Sequence, residues 1–413
     1  MSAATVIISG ARVFDGESFL PRADVAFAGD TVLDVGPGLT ERHPGARTVD
    51  ATGKTVIPGI IDLHVHMTAR HAGSLNSFAE PFSLQFYDSA AHLGRTLRAG
   101  VTSVRDAGGT DLGAKVAVES GVIPGPRLRI AVTIMSQTGG HGDMRLPSGA
   151  ENPMLAPHAG RPSGVADGVE EVRKTVRSIL RAGADQIKIC STGGVLSPAD
   201  DPRHSQFTED EIRVIVEEAA AQGAYVMAHA QGSEGIKSAL RAGVRSIEHG
   251  IYLDEEAIGL LLDRGAYLVP TLSAPLAVIE RAERPGSGLS QAVIDKAHRV
   301  VDTHRESVAN AVAAGVKVAM GTDSGVGPHG ENLKELALMA DVGMGLEEVL
   351  RASTSLAGEL IRNARVGRLA PGHAADAVVL DGELTGTARL ASLPAMVRQV
   401  WKDGEAAFTR AGD

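Results

Sequence analysis

Apolar and polar positions alternate with a short period at both ends of the chain and with a longer, mixed period between them. Residues 5–56 contain VIISGARVF, DVAFAGDTVLDVG and TVDATGKTVI, strand-like runs broken by Gly, Asp and Pro, with no helical period. Residues 375–380 (ADAVVL) and 395–402 (AMVRQVWK) have the same character around Asp381-Gly382 and Asp403-Gly404. The pattern predicts that the two ends pair into one small β domain, the alternative being two unrelated flaps. Between them, apolar runs at 56–66, 101–106, 128–136, 185–190, 225–230, 245–249, 267–272 and 317–323 alternate with amphipathic stretches such as 169–182, 209–222, 234–242 and 291–314. Several of the intervening stretches end in Ala-Gly or Gln-Gly, at Gly100, Gly183, Gly223, Gly243 and Gly315, a helix stop directly before the next strand. Eight strand-like runs with that punctuation predict an α/β protein built as a (β/α)8 TIM barrel, with a doubly wound sheet as the alternative. The expected organisation is a barrel at 58–360 and a composite β-sandwich made by 1–57 and 361–413.

Composition narrows the classes. Aromatic residues make up 3% of the 413, so Val, Ile, Leu and Ala must fill the interior, as in barrels of parallel strands. A formal net charge of -10 without basic clusters speaks against nucleic acid and anionic membranes as partners. Cys190 is the only cysteine, so no internal disulfide forms. The start MSAATVIISG lacks a basic signal-peptide region and no run reaches a membrane span, so a soluble, cytoplasmic protein is expected.

Candidate chemistry gathers where the apolar runs finish, the end of a barrel strand at which active sites are built. The first run, VIPGIIDLHVH, closes on His64 and His66. Side chains two apart on a strand share a face about 7 Å apart and can converge on one cation. The same two residues read in isolation are core histidines with ordinary hydrogen bonds. Lys188 lies in the fourth run (QIKIC), His229 in the fifth (VMAHA), His249 in the sixth (IEHG) and Asp323 in the eighth (MGTDSG). Singly, each has a plain structural reading, a core histidine or a helix N-cap. Together they supply the imidazole and carboxylate ligands that zinc favours. Lysine is the odd member: an ammonium cannot ligate a cation and is costly to bury, which points to a carbamate formed with CO2, able to bridge two metals about 3.5 to 4 Å apart. The alternative is a lysine paired with an acid such as Asp106. Arg105 is placed to support this region or to pair with Asp106 itself.

Other residues carry weaker signals. The Gly-, Pro- and Asp-rich stretch 191–206 follows the fourth run and is expected to overhang the site, with Arg203 and His204 facing an anionic group or solvent. Tyr252 and His329 are expected at the pocket wall. Cys190 reads as a small buried thiol, and His92, His158, His298, His304 and His373, which lack ligand spacing, read as surface or packing residues.

Taken with SIEHG, GTDSG and the tail GRLAPGHAADAVVLDG, the stretch VIPGIIDLHVH makes the chain resemble the amidohydrolase superfamily over nearly its whole length, in particular its imidazolonepropionase-related and prolidase-like (Xaa-Pro dipeptidase-type) members. The resemblance implies His64 and His66 as ligands of one divalent metal, His229 and His249 of a second, Lys188 as the bridging N6-carboxylysine, and Asp323 as ligand and proton shuttle. Zinc is the default metal, with manganese, iron and cobalt sharing the same ligands. Mononuclear relatives carry a functional Glu shortly after the fifth-strand His and lack the lysine; here Ala-Gln-Gly-Ser-Glu follows His229 and Lys188 is present, so the binuclear, hydrolytic type is expected. The stretch MSQTGGHGD is similar to the substrate-side loop of the prolidase-like subgroup, which would put His141 at the scissile carbonyl or a substrate carboxylate. Relatives that cleave dipeptides have Tyr two residues after the fifth-strand His, and Gln231 departs from that pattern.

The expected activity is hydrolysis of an amide bond, a hydroxide between the two metals attacking the carbonyl of a dipeptide or of an N-acyl or aryl-amide amino acid, with Asp323 moving the proton and His141 assisting. Gln231, Arg203 and Tyr252 are the expected substrate contacts. The alternatives are an esterase, carbamate hydrolase or lactonase, an imidazolonepropionase-like opening of a cyclic amide, and a non-catalytic scaffold. The partner is a small-molecule substrate, and a homo-oligomer is expected.

Overall fold

The computed structural model describes residues 5–411 apart from 71, 147, 198 and 199. Parts of three expected segments therefore lie outside the described residues: 1–4 of the first, 198–199 of the loop 191–206, and 412–413 of the last. The opening strands are β1 (Val6–Phe14), β2 (Phe19–Ala28), β3 (Thr31–Gly36), β4 (Arg47–Asp50) and β5 (Thr55–Pro58). One short helix, Leu39–Arg42, interrupts this all-strand expectation. It persists because Leu39 is buried and its backbone N–H donates to Asp24 Oδ2 at 2.9 Å.

The run 56–66 that reads as one strand is two, because the chain changes sheet at Gly59. A Cβ there would lie 2.1 Å from Thr102 Oγ1 and 2.9 Å from Thr102 Cβ, so only a residue without a side chain lets the backbone pass this closely. Beyond it, β6 (Ile60–Val65) pairs in parallel with β7 (Val101–Asp106), and β7 with β8 (Arg127–Ile130). A second parallel sheet contains β9 (Ile134–Met135), β10 (Ile187–Cys190), β11 (Val226–Ala230), β12 (Ser246–His249), β13 (Tyr267–Val269) and β14 (Lys317–Val318), each strand paired with the next. The third expected run is thus divided between the two sheets, around Val132 with φ of 66°, and the strands appear as sheets of three and six rather than one ring. On the other side the sheets approach each other: Leu63 N–H donates to Met320 O at 3.0 Å, Asp323 N–H to His64 O at 2.7 Å and His66 N–H to Ser324 O at 2.8 Å. Strands β6, β7, β10, β11 and β12 are buried along their whole length, which is why they read as unbroken apolar runs.

Helices Gly168–Arg181, Glu209–Ala221, Ser233–Ala242 and Gln291–Ala313 lie within a residue or so of their expected bounds. Their apolar stripes, including Val172, Val176, Ile212, Ile215, Ile236 and Leu240, join one core with the parallel strands. Among the described residues, no helix is long and apolar enough to cross a membrane.

From Ala377 onward the chain returns to its beginning. Strands β15 (Ala377–Leu380), β16 (Val397–Lys402) and β17 (Glu405–Thr409) extend the first sheet in the order β17-β16-β15-β5-β1-β2-β3, with β4 also beside β1. The join is β15 against β5, antiparallel, with Ala377 opposite Pro58. Period-two alternation divides these strands between two cores: Val56, Val379 and Trp401 pack within the sheet's own cluster, whereas Ile57, Val378 and Leu380 face the main core.

Candidate metal centre

Six side chains from five strand ends or their immediate extensions line one cavity: His64 and His66 from the β6 segment, Lys188 from β10, His229 from β11, His249 from β12, and Asp323 just beyond β14. All six are buried. Asp323 Oδ1 lies 3.3 Å from His66 Nε2 and 3.6 Å from His64 Nε2, and Lys188 Nζ lies 3.3 Å from the same His64 nitrogen. The His229 ring is 4.7 Å from that of His249, which is 5.0 Å from that of His64. His249 and Asp323 both hold left-handed backbone, with φ of 74° and 57°. Non-glycine residues adopt that region at a cost of order 1–3 kcal/mol, which the surrounding packing must offset.

Each imidazole is aimed by the hydrogen bond on its far nitrogen. His64 Nδ1 donates to Glu248 Oε2 at 2.9 Å, His66 Nδ1 donates to Gly108 O at 2.8 Å, and His249 Nδ1 is bonded to Thr271 Oγ1 at 2.7 Å. His229 is turned the other way, Nε2 donating to Gly193 O at 3.0 Å. Such partners fix ring orientation and tautomer and leave one lone pair free for a cation.

The electrostatics suit that use. Burial, then the neighbouring Lys188, holds His64 well below its usual pKa; burial does the same for His229 and His249, reinforced by His141 and His64 respectively. For His66 burial works downward too, but the bond and charge of Asp323 outweigh it and raise the pKa. Burial alone would raise Asp323, yet His64 and His66 keep its carboxyl well below the usual carboxylate range. Lys188 is lowered by burial, and among the described residues it forms no ion pair. The expected alternative partner, Asp106, is occupied: its oxygens accept from Met67 N at 2.8 Å, Gly108 N at 2.9 Å and Thr110 Oγ1 at 2.7 Å. Neutral imidazoles at His64, His229 and His249, an ionised Asp323 carboxylate and a lysine disfavoured as ammonium suit a divalent cation, which would take the place of the proton that Asp323 favours on His66. Ligand atoms of His64, His249 and Asp323 lie within 4.8 Å of one another, so the residues fit such an ion.

The remaining expectations divide. His141 and Gln231 line the cavity, His141 stacked on His229 with ring centroids 4.2 Å apart. Arg203 and Tyr252 do not line it. Arg203 is exposed and bound to Asp201 at 3.0 Å, and Tyr252 is half-buried against the outside of the apolar cluster whose Val195 and Ile251 line the cavity. His204 is exposed as well, and His329 stacks on His92 away from the cavity, with 4.0 Å between centroids. Cys190 is a buried cavity-wall thiol, its pKa pushed up to about 12 by burial. Of the histidines expected only at the surface or in packing, His304 also reaches the cavity wall, Nε2 donating to His249 O at 2.9 Å. Arg105 pairs with Glu248 and not with Asp106. Glu248 is absent from the expected site residues, although its carboxylate inside the apolar run SIEHG, next to a candidate ligand, is a signal that periodicity carries.

Residues 55–407 match the amidohydrolase family. Ochratoxinase of Aspergillus niger is 33% identical over 420 residues, covering 97% of this chain and 86% of that relative. A prolidase solved in complex with N-methylphosphonate-L-proline superposes with a TM-score of 0.90 at 38% identity, covering 98% of this chain and 100% of the other. A Xaa-Pro dipeptidase with methionine bound in its active site superposes with a TM-score of 0.88 at 32% identity, over 98% and 100% of the two chains.

Proposed function

The chain belongs to the amidohydrolase family and is a hydrolase of amide carbon–nitrogen bonds, and from that premise we propose that its buried cluster holds two divalent cations, zinc by default. In this reading His64 and His66 serve one ion, His229 and His249 the other, Lys188 carboxylated at Nζ joins them, and Asp323 completes the set. The observation that carries it is the convergence of these six side chains on one cavity, each imidazole already oriented from behind. When bound, such ions polarise a carbonyl and lower the pKa of water from 15.7 to about 7.

The chain's own residues do the rest. Asp323, ionised and in reach of both His64 and His66, accepts the proton of the attacking water and returns it to the leaving nitrogen. His141, at the cavity wall, polarises the substrate carbonyl or meets its carboxylate. Gln231 offers a neutral amide there, its Oε1 buried and without a protein partner. Ile134, Met144, Met154, Val195, Ile251 and Val278 line the cavity, and Lys188 is its only lysine or arginine among the described residues. That lining supports an apolar acyl or aryl arm, so the substrates we propose are N-acyl or aryl-amide amino acids and dipeptides with apolar side chains. The two parallel sheets, bonded between β6 and residues 320–324, are read as one (β/α)8 barrel at 58–360. Residues 1–57 and 361–413, sharing the antiparallel register of β5 and β15, are read as one composite β-sandwich.

Metal analysis of the purified protein, with a panel of dipeptides and N-acyl amino acids, tests the reading. The expected result is about two equivalents of metal, activity lost to a chelator and restored by zinc. Full activity after complete metal removal would overturn it, and one equivalent with opening of a cyclic amide would favour imidazolonepropionase-like chemistry.

A further inference from the structure

His141 sits in the tight sequence Gly140-His141-Gly142, whose glycines are pressed against Ser136: a Cβ on Gly140 would lie 2.4 Å from Ser136 Oγ, and one on Gly142 2.9 Å from Ser136 Cβ. The backbone N–H of His141 donates to Gln206 Oε1 at 2.9 Å. Its ring lies flat on the backbone of Gly194, where a Cβ would come within 2.2 Å of His141 Cε1. His141 Nδ1 is bonded to Ser197 Oγ at 2.7 Å and lies 3.5 Å from Asp200 Oδ2, and Ser197 Oγ donates in turn to Asp200 Oδ1. Asp200 also accepts from Gly194 N at 3.3 Å and Gln206 Nε2 at 3.4 Å. Burial opposes its ionisation, but the bonds from His141 and Ser197 push its pKa down to about 2, so it stays charged.

A single buried ammonium closes this arrangement from behind. Lys296 reaches in from helix Gln291–Ala313, which supplies none of the six cavity ligands, and donates to the carbonyls of Gly194 at 2.7 Å, Ser197 at 2.5 Å and Asp200 at 2.9 Å. Three carbonyls saturate its three N–H groups, and Asp200 Oδ1 lies 3.6 Å away to balance its charge. An imidazole whose Nδ1–H donates to a carboxylate-backed hydroxyl has its ring plane fixed, and its protonated form carries an Nε2–H that donates to a substrate carbonyl or carboxylate. Nε2 is left as the His141 nitrogen without a protein hydrogen bond among the described residues.

We propose that Asp200, acting through Ser197, and Lys296 are positioning residues for the hydrolytic reaction, holding His141 with Nε2 presented to the substrate. The proposal rests on His141 facing substrate in the reading above. It predicts that Asp200 and Lys296 matter only through that ring.

The test is a double-mutant cycle on the metal-loaded enzyme, with the best substrate of the dipeptide and N-acyl amino acid panel and metal content measured for every variant. Asp200→Asn is expected to lower kcat/KM by about 10²-fold, the scale of a catalytic group misplaced by about 1 Å, with metal content unchanged. His141→Ala is expected to lose at least as much, and adding Asp200→Asn to His141→Ala to cost less than about twofold more, since both act through one ring. Lys296→Arg, which keeps donors toward the three carbonyls, should retain more activity than Lys296→Met. Ser197→Ala, which removes one hydroxyl, repeats the Asp200→Asn measurement should that variant fail to fold. Additive losses in the cycle, or a silent Asp200→Asn beside a damaged His141→Ala, overturn the positioning role alone. A silent His141→Ala overturns His141's place in the mechanism and this proposal with it, while leaving the metal reading intact.

Discussion

Arg105 and Glu248 form an ion pair with neither side chain exposed, Arg105 Nη2 lying 2.9 Å from both carboxylate oxygens. Removing two charges from water costs several kcal/mol per ion, so such a pair is poor evidence for stability by itself. Its surroundings indicate its role. Ser246 Oγ donates to Glu248 Oε1, Arg105 Nε donates to Leu63 O at 2.7 Å, and the remaining capacity of Glu248 goes to His64 Nδ1. The pair holds the carboxylate aimed so that His64 presents Nε2 to the cavity.

Glu248→Gln keeps the shape of that carboxylate and removes its charge. The expected outcome is a 10–100-fold loss of metal affinity, the scale seen when the partner of a metal-bound histidine is altered, read by competition with a chelator. Arg105→Leu leaves Glu248 as a buried charge without its counter-ion and should cost about 3–5 kcal/mol in denaturant unfolding. Unchanged metal affinity in Glu248→Gln would remove the pair from the site and leave it a core feature.

Asp323→Asn separates binding from proton transfer. Asparagine keeps an oxygen toward His64 and His66 but cannot take a proton from water, so turnover should fall by about 10²–10⁴-fold while metal stays bound. Near-normal turnover at full metal occupancy would take Asp323 out of the shuttle role.

What the sequence made legible, and what it hid, follows from the range over which each interaction acts. The helices and the six cavity residues were readable because periodicity and strand-end position are local. His64, His66 and Lys188 each stand out as polar breaks in an apolar run. Arg105 and Glu248 are 143 positions apart, and neither run names its partner. Lys296 is one charge among many along an amphipathic helix, and only folding brings it under the loop that carries Ser197 and Asp200. Arg203 is expected at the pocket because its loop follows a ligand strand. Loop side chains, however, go where local bonds send them, and Asp201 holds Arg203 at the surface. The run 56–66 looked like a single strand because both halves are apolar, and the change of sheet at Gly59 shows only through the neighbour that would clash.

That neighbour supplies a stability prediction. At Gly59→Ala the new methyl meets Thr102 Oγ1 at 2.1 Å, Cγ2 at 2.7 Å and Cβ at 2.9 Å, in a buried junction where neither backbone has room to retreat. Overpacking of this kind costs about 1–3 kcal/mol. Thr102→Ala removes the two nearest atoms, so the double variant should recover part of the loss in urea unfolding. An unshifted midpoint in Gly59→Ala would mean that the junction yields more easily than its packing indicates.

Glu335 gives the fold a pH dependence of its own. It is fully buried on helix Lys334–Asp341, where Oε1 accepts from Leu272 N at 2.7 Å and Oε2 from Ser273 N at 2.8 Å. Burial pushes its pKa up to about 7, the backbone bonds opposing only in part. An unfolded glutamate releases its proton near pH 4.3, so between about 4.3 and 7 the folded protein holds a proton that the unfolded chain has lost. The stability linked to this group is fully present below about pH 4.3 and declines as pH rises to about 7, a change of about 3–4 kcal/mol. Glu335→Gln does not titrate, so the stability of the wild type relative to this variant should decrease steadily from pH 5 to pH 7. Urea midpoints for the two proteins at pH 5, 6 and 7 measure that difference. Parallel pH profiles would mean that Glu335 ionises in the folded protein as readily as in the unfolded chain.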